Sequence, residues 1–104
     1  MSDMKLLFIS SPFREFQVRN IEYAKDLLKE AIDAGYVPIA PHLLYPQVLD
    51  DDNITERKIA MELCQELIKK CDAVLVGKKY GISRGMRSEI ELARKLGKKI
   101  IWKK

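Results

Sequence analysis

The sequence predicts an α/β domain: an open parallel sheet of four to five strands with helices on both faces, three layers in all. Three observations carry that expectation. The runs Met4–Ser10 (MKLLFIS) and Ala73–Val76 are apolar with no polar alternation, the pattern of strands buried on both sides. Between the strand-like runs the hydrophobic residues recur at helical spacing, and the two patterns alternate along the chain as βαβαβαβ. The length of 104 residues is enough for one domain, spanning 1–104, and not for two.

Each element has its own local reason. Ser11-Pro12-Phe13-Arg14 breaks the first strand. Ile21, Ala24, Leu28, Ala31 and Ile32 then mark a helix that Gly35 stops. Tyr36–Ala40 reads as a short second strand, and Pro38, which has no amide to donate, assigns it to an edge. Pro41–Asp52 is a loop with two prolines and three consecutive aspartates. Thr55 is the expected N-cap of the next helix, whose apolar stripe is Ile59, Leu63, Cys64, Leu67, Ile68 and Cys71. Asp72 opens the third strand, Gly77–Arg84 is a glycine-bearing loop, and a third helix starts at Gly85 or Met86 and carries Ile90, Ala93 and Leu96. Gly97 stops it, and Lys99–Trp102 is the last strand. Right-handed crossovers and a spatial order 2-1-3-4 put a topological switch between strands one and three, where ligands bind outside the carboxyl ends. The loops Ser10–Arg14 and Gly77–Gly85 are therefore expected to line the site.

Composition limits the function classes. Hydrophobic residues make up 47% and charged residues 33%, as in ordinary globular proteins. No apolar run approaches the roughly 20 residues that span a bilayer, and Leu6–Ile9 is too short for a signal peptide, so a cytoplasmic protein with no membrane partner is expected. Cys64 and Cys71, seven residues apart, would sit about 10 Å from each other on a helix, too far for a disulfide. The net charge of +4 is uneven: Lys78–Lys104 holds ten Lys or Arg against Glu89 and Glu91, whereas Leu43–Glu56 holds four acids and no base. A basic third suits an anionic ligand, or is simply a solvated face. Nucleic acid is not expected as a partner, because no basic strand is interleaved with aromatics.

No P-loop, G-x-G-x-x-G, metal-ligand spacing or nucleophile elbow occurs, so neither a metal nor a cofactor is expected. The informative stretch is Ser83-Arg84-Gly85-Met86-Arg87-Ser88-Glu89. Free amides where a loop enters a helix bind anions, and Ser83 adds a hydroxyl. Helical side chains lean toward the N-terminus, so Glu89 reaches back to the mouth of that site, and the helix dipole is expected to keep it ionised. Such a carboxylate attacks a sugar carbon or stabilises an oxocarbenium ion; alternatively, it only decorates a first helical turn. Ser10 and Ser11 end the first strand at the same rim, as ligand contacts or as turn formers. His42 ends the second strand there too, as a base or sugar contact or as a structural residue. Arg14, Arg19 and Arg57 are further anion candidates. Asp72 reads as structural; the Asp50–Asp52 run reads as a solvated loop or helix cap, or alternatively as a metal site.

At this point the chain resembles a family. Phe8-Ile9-Ser10-Ser11-Pro12-Phe13, Pro38-Ile39-Ala40-Pro41-His42-Leu43, Cys71-Asp72-Ala73-Val74, and Ser83-Arg84-Gly85-Met86 with Glu89 and Ala93 follow, in order, the pattern of the nucleoside 2-deoxyribosyltransferase-like superfamily, especially its short phage and bacterial members. The resemblance implies a Rossmann-like fold, commonly homodimeric, that binds a nucleoside or nucleotide. It also implies that Glu89 is the nucleophile and that Ser10, Ser11, His42, Ser83, Gly85 and Met86 contact the substrate. Ser83 stands where transferases commonly have Asp. It matches the serine of 2'-deoxynucleoside 5'-monophosphate N-hydrolases, which favours a 5'-phosphorylated ligand. Those hydrolases carry a catalytic Asp where this chain has Cys64. The chain is thus expected to act on the N-glycosidic bond of a nucleoside monophosphate, or to hold a nucleotide without cutting it.

Overall fold

A computed structural model describes residues 4–103. Strands β1 (Leu6–Ser10), β2 (Val37–Ile39), β3 (Ala73–Gly77) and β4 (Lys99–Lys103) alternate with helices α1 (Gln17–Asp33), α2 (Ile54–Lys70) and α3 (Arg84–Lys95). Two short 3₁₀ turns, Pro41–Leu43 and Tyr45–Gln47, lie between β2 and α2. The four strands are all parallel, in the order β2-β1-β3-β4. This is the Rossmann-like α/β/α arrangement, with four strands among the described residues.

The apolar runs become strands because both of their faces are covered. Phe8, Val74 and Val76 point toward α2 and α3, where Cys64, Ile68, Met86, Ile90 and Ala93 pack on them. Leu7, Ile9, Ala73 and Leu75 point the other way, onto Tyr23, Leu27 and Ala31 of α1. Phe8, Val74 and Val76 are fully buried, and burial of each such side chain stabilises the fold by roughly 1.5–3 kcal/mol. β2 is an edge strand, so the missing amide of Pro38 leaves no neighbour unpaired. Gly77 ends β3 where α1 comes closest: a Cβ there would lie 2.5 Å from Leu27 Cδ1 and 2.8 Å from the Tyr23 hydroxyl.

Four local readings are corrected. The N-cap of α2 is Asn53, not Thr55: its extended backbone lets the side chain accept from the Glu56 amide at 3.0 Å. The α2 stripe is narrower than expected, because only Cys64 and Ile68 are buried on the helix itself, while Ile59 and Leu63 are exposed. Cys71 is not on the helix; it is the C-cap, still buried. Helix α3 begins at Arg84, because the Ser83 side chain accepts from the Met86 amide at 3.2 Å and fixes the start one residue early. Asp72 has a clear structural task, since its carboxylate accepts from the Leu6 amide at 2.8 Å.

Candidate functional site

The loops that leave β1, β2 and β3 at their carboxyl ends enclose a cavity of about 280 Å³ together with α2 and the start of α3. Its wall includes Phe13 and Arg14 after β1, His42 and Tyr45 after β2, Cys64 on α2, and Ser83, Gly85 and Glu89 at α3. The order β2-β1-β3 creates it, because the chain leaves the central strand β1 on one side and returns on the other.

Glu89 sits in the second turn of α3 and projects back into the cavity. The Ser10 hydroxyl donates to its Oε1 at 2.7 Å, which ties the first strand to the last helix. Burial pushes the Glu89 carboxyl up to about 7, and the Ser10 bond only partly opposes this. The expectation that the helix dipole keeps Glu89 ionised is therefore corrected. A rise from 4.5 to about 7 corresponds to about 3 kcal/mol, against about 0.3–1 kcal/mol for a charge near a helix end.

Facing it from α2 is Cys64, whose thiol is pushed up to about 12 by burial and, secondarily, by the Glu89 carboxylate. It is a neutral thiol at any physiological pH. Glu62 and Glu66 lie off the cavity wall.

The start of α3 forms the second half of the site. Arg84 and Gly85 occupy its first turn, where backbone amides have no acceptor within the helix. A Cβ on Gly85 would meet nothing within 4 Å, so the cavity is open at that point. The Ser83 hydroxyl accepts from the Met86 amide and keeps its own proton free to donate. Met86 lines the cavity with part of a side chain that is otherwise buried in the core.

The two strand-ending serines do not line the cavity. Ser10 is completely buried and acts on Glu89. Ser11, just past the strand, is also buried, and its hydroxyl has no hydrogen-bond partner among the described residues. His42 lies one residue into the turn beyond β2, stacked on Phe13 at 5.3 Å and 23°. Burial lowers its pKa, outweighing the Asp51 charge and a hydrogen bond to the Ser11 backbone, which both raise it. The ring is thus held neutral beside the cavity.

Of the arginine candidates, Arg14 and Arg57 line the cavity and Arg19 does not. Arg14 also bridges to Asp51 at 3.3 Å and to Asp52 at 3.6 Å, which closes the loop after β1 onto the loop before α2. Asp50 braces the same turn through its amide, which donates to Glu56 Oε1 at 2.7 Å. Sequence reasoning missed Tyr45, Met61 and Gln65 on the wall. Met61 and Gln65 lie on the outer flank of α2, and no periodicity marks them; Tyr45 lies in a loop with no pattern at all. No group of three His, Cys, Asp or Glu side chains among the described residues is placed to hold a metal ion.

Three solved structures share this architecture. A 2-deoxyribosyltransferase from Bacillus psychrosaccharolyticus superposes with a TM-score of 0.74 at 19% identity, over 93% of this chain and 70% of that one. A CMP N-glycosidase from Clostridium botulinum gives 0.64 at 20% identity, over 94% and 66%. A 2-deoxyribosyltransferase from Leishmania mexicana gives 0.62 at 18% identity, over 94% and 63%. At these identities the likeness establishes the fold, and the chain spans between 63% and 70% of each of their lengths. No curated protein sequence matches. A family model described as a domain of unknown function, DUF7768, matches residues 5–103, so the chain belongs to that family and has the nucleoside 2-deoxyribosyltransferase-like fold.

Proposed function

We propose that the cavity takes a nucleoside 5'-monophosphate and that Glu89 acts on its N-glycosidic bond. The observation that supports this reading is a buried carboxylate on the same wall as the open amides of a helix start, one helical turn apart. The free amides of Arg84 and Gly85, the Ser83 hydroxyl and the Arg84 or Arg57 guanidinium suit a phosphate. The neutral His42 ring on Phe13, with Tyr45, suits a flat base or a ribose edge. The volume of about 280 Å³ suits one mononucleotide rather than a longer ligand. What the fold's relatives are named for, deoxyribosyl transfer and cleavage of a cytidine monophosphate, is the same bond chemistry.

In the proposed step an ionised Glu89 oxygen bonds to the anomeric carbon as the bond to the base nitrogen breaks. The electron pair leaves with the base, which takes a proton from water. Water, or a second base, then attacks the same carbon and releases Glu89. Ser10 orients the carboxylate. Cys64 holds its proton too tightly to give it to the base, so departure of the base goes unassisted and turnover is slow. Glu89→Gln is expected to abolish release of free base from a mixture of ribo- and deoxynucleoside 5'-monophosphates, read by chromatography, while the nucleotide still binds. Unchanged release would overturn the mechanism.

One observation favours a second reading. With a thiol at position 64 and Glu89 about half protonated near pH 7, the cavity has the contacts for binding and weak means for cleavage. Intact nucleotide recovered from the protein after long incubation would identify a binding module that holds or sequesters a nucleotide. Homodimerisation belongs to the same proposal: Ile54, Ile59, Met61 and Leu63 are exposed along α2, and a sedimentation mass of twice 12.0 kDa is expected.

A further inference from the structure

The loop after β3 runs away from the cavity as Lys78-Lys79-Tyr80, and the fold brings three other elements to it. Arg19 of α1 lies over the Tyr80 ring at 3.9 Å and near the Phe16 ring at 4.8 Å. Lys79 approaches Tyr80 at 5.4 Å. On the other side, Trp102 of β4 is flanked by Lys78 at 5.6 Å and Arg94 of α3 at 6.0 Å. None of these residues lines the cavity, and Arg19, Lys78, Lys79 and Arg94 form no ion pair among the described residues. Two cation–ring clusters result, Phe16, Arg19, Lys79 and Tyr80 on the α1 side of the sheet and Trp102, Lys78 and Arg94 on the α3 side, and the adjacent Lys78 and Lys79 join them; Phe16 is 68% exposed, Trp102 44% and Tyr80 38%.

The arrangement is built rather than incidental. Asn20, fully buried, accepts from Arg19 Nε and Nη2 at 3.2 and 3.0 Å and so aims the guanidinium. Its own amide donates to the carbonyls of Phe13, Arg14 and Glu15. Glu15 and Phe16 have φ of 60° and 41°, a left-handed pair that costs backbone strain and holds Phe16 outward. Tyr80 stands edge-on against buried Tyr23 at 5.1 Å, and the Tyr23 hydroxyl accepts from the Lys79 amide at 3.1 Å. Unpaired cations set among rigid, exposed rings match a ligand that alternates negative charge with flat faces. Single-stranded nucleic acid has this chemistry, whereas a duplex hides its base faces and a lipid headgroup has none.

We propose that Phe16, Arg19, Tyr80 and Trp102, with Lys78, Lys79 and Arg94, form a binding surface for single-stranded nucleic acid, separate from the cavity. Trp102 is the only tryptophan, so its emission reports stacking directly. Titration of the full chain with a 12-mer of oligothymidylate at low salt is expected to quench that emission. The logarithm of affinity should fall with the logarithm of salt at a slope of about −3, from four cations at roughly 0.7 each. Tyr80→Ala should weaken binding about tenfold, and the double variant Lys78→Gln/Lys79→Gln should flatten the slope, both with nucleotide turnover or retention unchanged. Absence of binding at low salt overturns the proposal. So does equal affinity for a duplex with no effect of Tyr80→Ala, which would mean charge attraction alone, and so does binding to anionic vesicles but not to the oligonucleotide. The cavity reading fails on a different measurement, release or retention of mononucleotide, so the two results separate.

Discussion

Glu89 connects chemistry with stability. Its carboxyl titrates at 4.5 when exposed and at about 7 in the folded chain. Below about pH 4.5 both states are protonated. As the pH rises toward 7, the folded state keeps a proton that the unfolded state has lost, so stability falls across that window and stays lower above it. The full difference is about 3 kcal/mol. Glu89→Gln, which keeps an acceptor for Ser10, is expected to raise the melting temperature at pH 8 and leave it nearly unchanged at pH 4.5. Equal melting shifts at both values would contradict the burial of the charge. Turnover, which needs the ionised form, is expected to rise with pH through about 7. Cys64 gives a second check at this scale. With its thiol pushed up to about 12, alkylation by iodoacetamide at pH 8 should be far slower in the folded protein than in the denatured chain, read by intact mass. Cys64→Asp, which places an acid opposite Glu89, is expected to raise the rate of base release.

At the scale of elements, two caps decide where the site falls. Ser83 sets the start of α3, and with it the direction of Glu89 and the open amides of Arg84 and Gly85. Asn53 sets the start of α2 and the position of Cys64. Loss of either cap by substitution with Ala is expected to cost about 1 kcal/mol, a drop of several degrees in melting temperature. Only Ser83→Ala should also weaken the binding of a monophosphate relative to its nucleoside. The elements themselves were legible because their signals are local: an apolar repeat at helical spacing, a Gly after one, an unbroken apolar run; the start of α3 was not, because Ser83 reads as an anion contact and not as its cap. The choice between Asn53 and Thr55 was not, since both residue types cap helices and only the turn at Asp50, with the Asn53 amide on the Asp50 carbonyl, selects the first. The extent of the α2 stripe was equally hidden, because periodicity records which residues can face a sheet and not how much sheet is there to cover them.

For the whole molecule, the expected strand order 2-1-3-4 holds in the structure, and the loops that leave β1 and β3 meet a cavity at the carboxyl ends of the strands. The electrostatics of the site did not follow. A helix dipole is visible in a sequence, but desolvation depends on everything that packs around a group, and here it outweighs the dipole and raises the Glu89 carboxyl. The juxtaposition of Arg19, Tyr80 and Trp102 was invisible for a related reason: it joins α1, a loop and β4, and no stretch of sequence contains it. Gly77 marks a further dependence across the fold. Gly77→Val is expected to destabilise by about 1–3 kcal/mol through overpacking on Leu27 and Tyr23, measured by urea unfolding.

The bond from Ser10 to Glu89 spans 79 positions of the chain. Strand β1 is made before β3 and before the helix that carries its carboxylate partner, so it waits for both. Until then the Ser10 hydroxyl has only water to bond, and the central strand is open along one edge. Strand β1 is therefore finished only when α3 has packed, and a ligand that needs Glu89 in place recognises only chains in which these two segments have met.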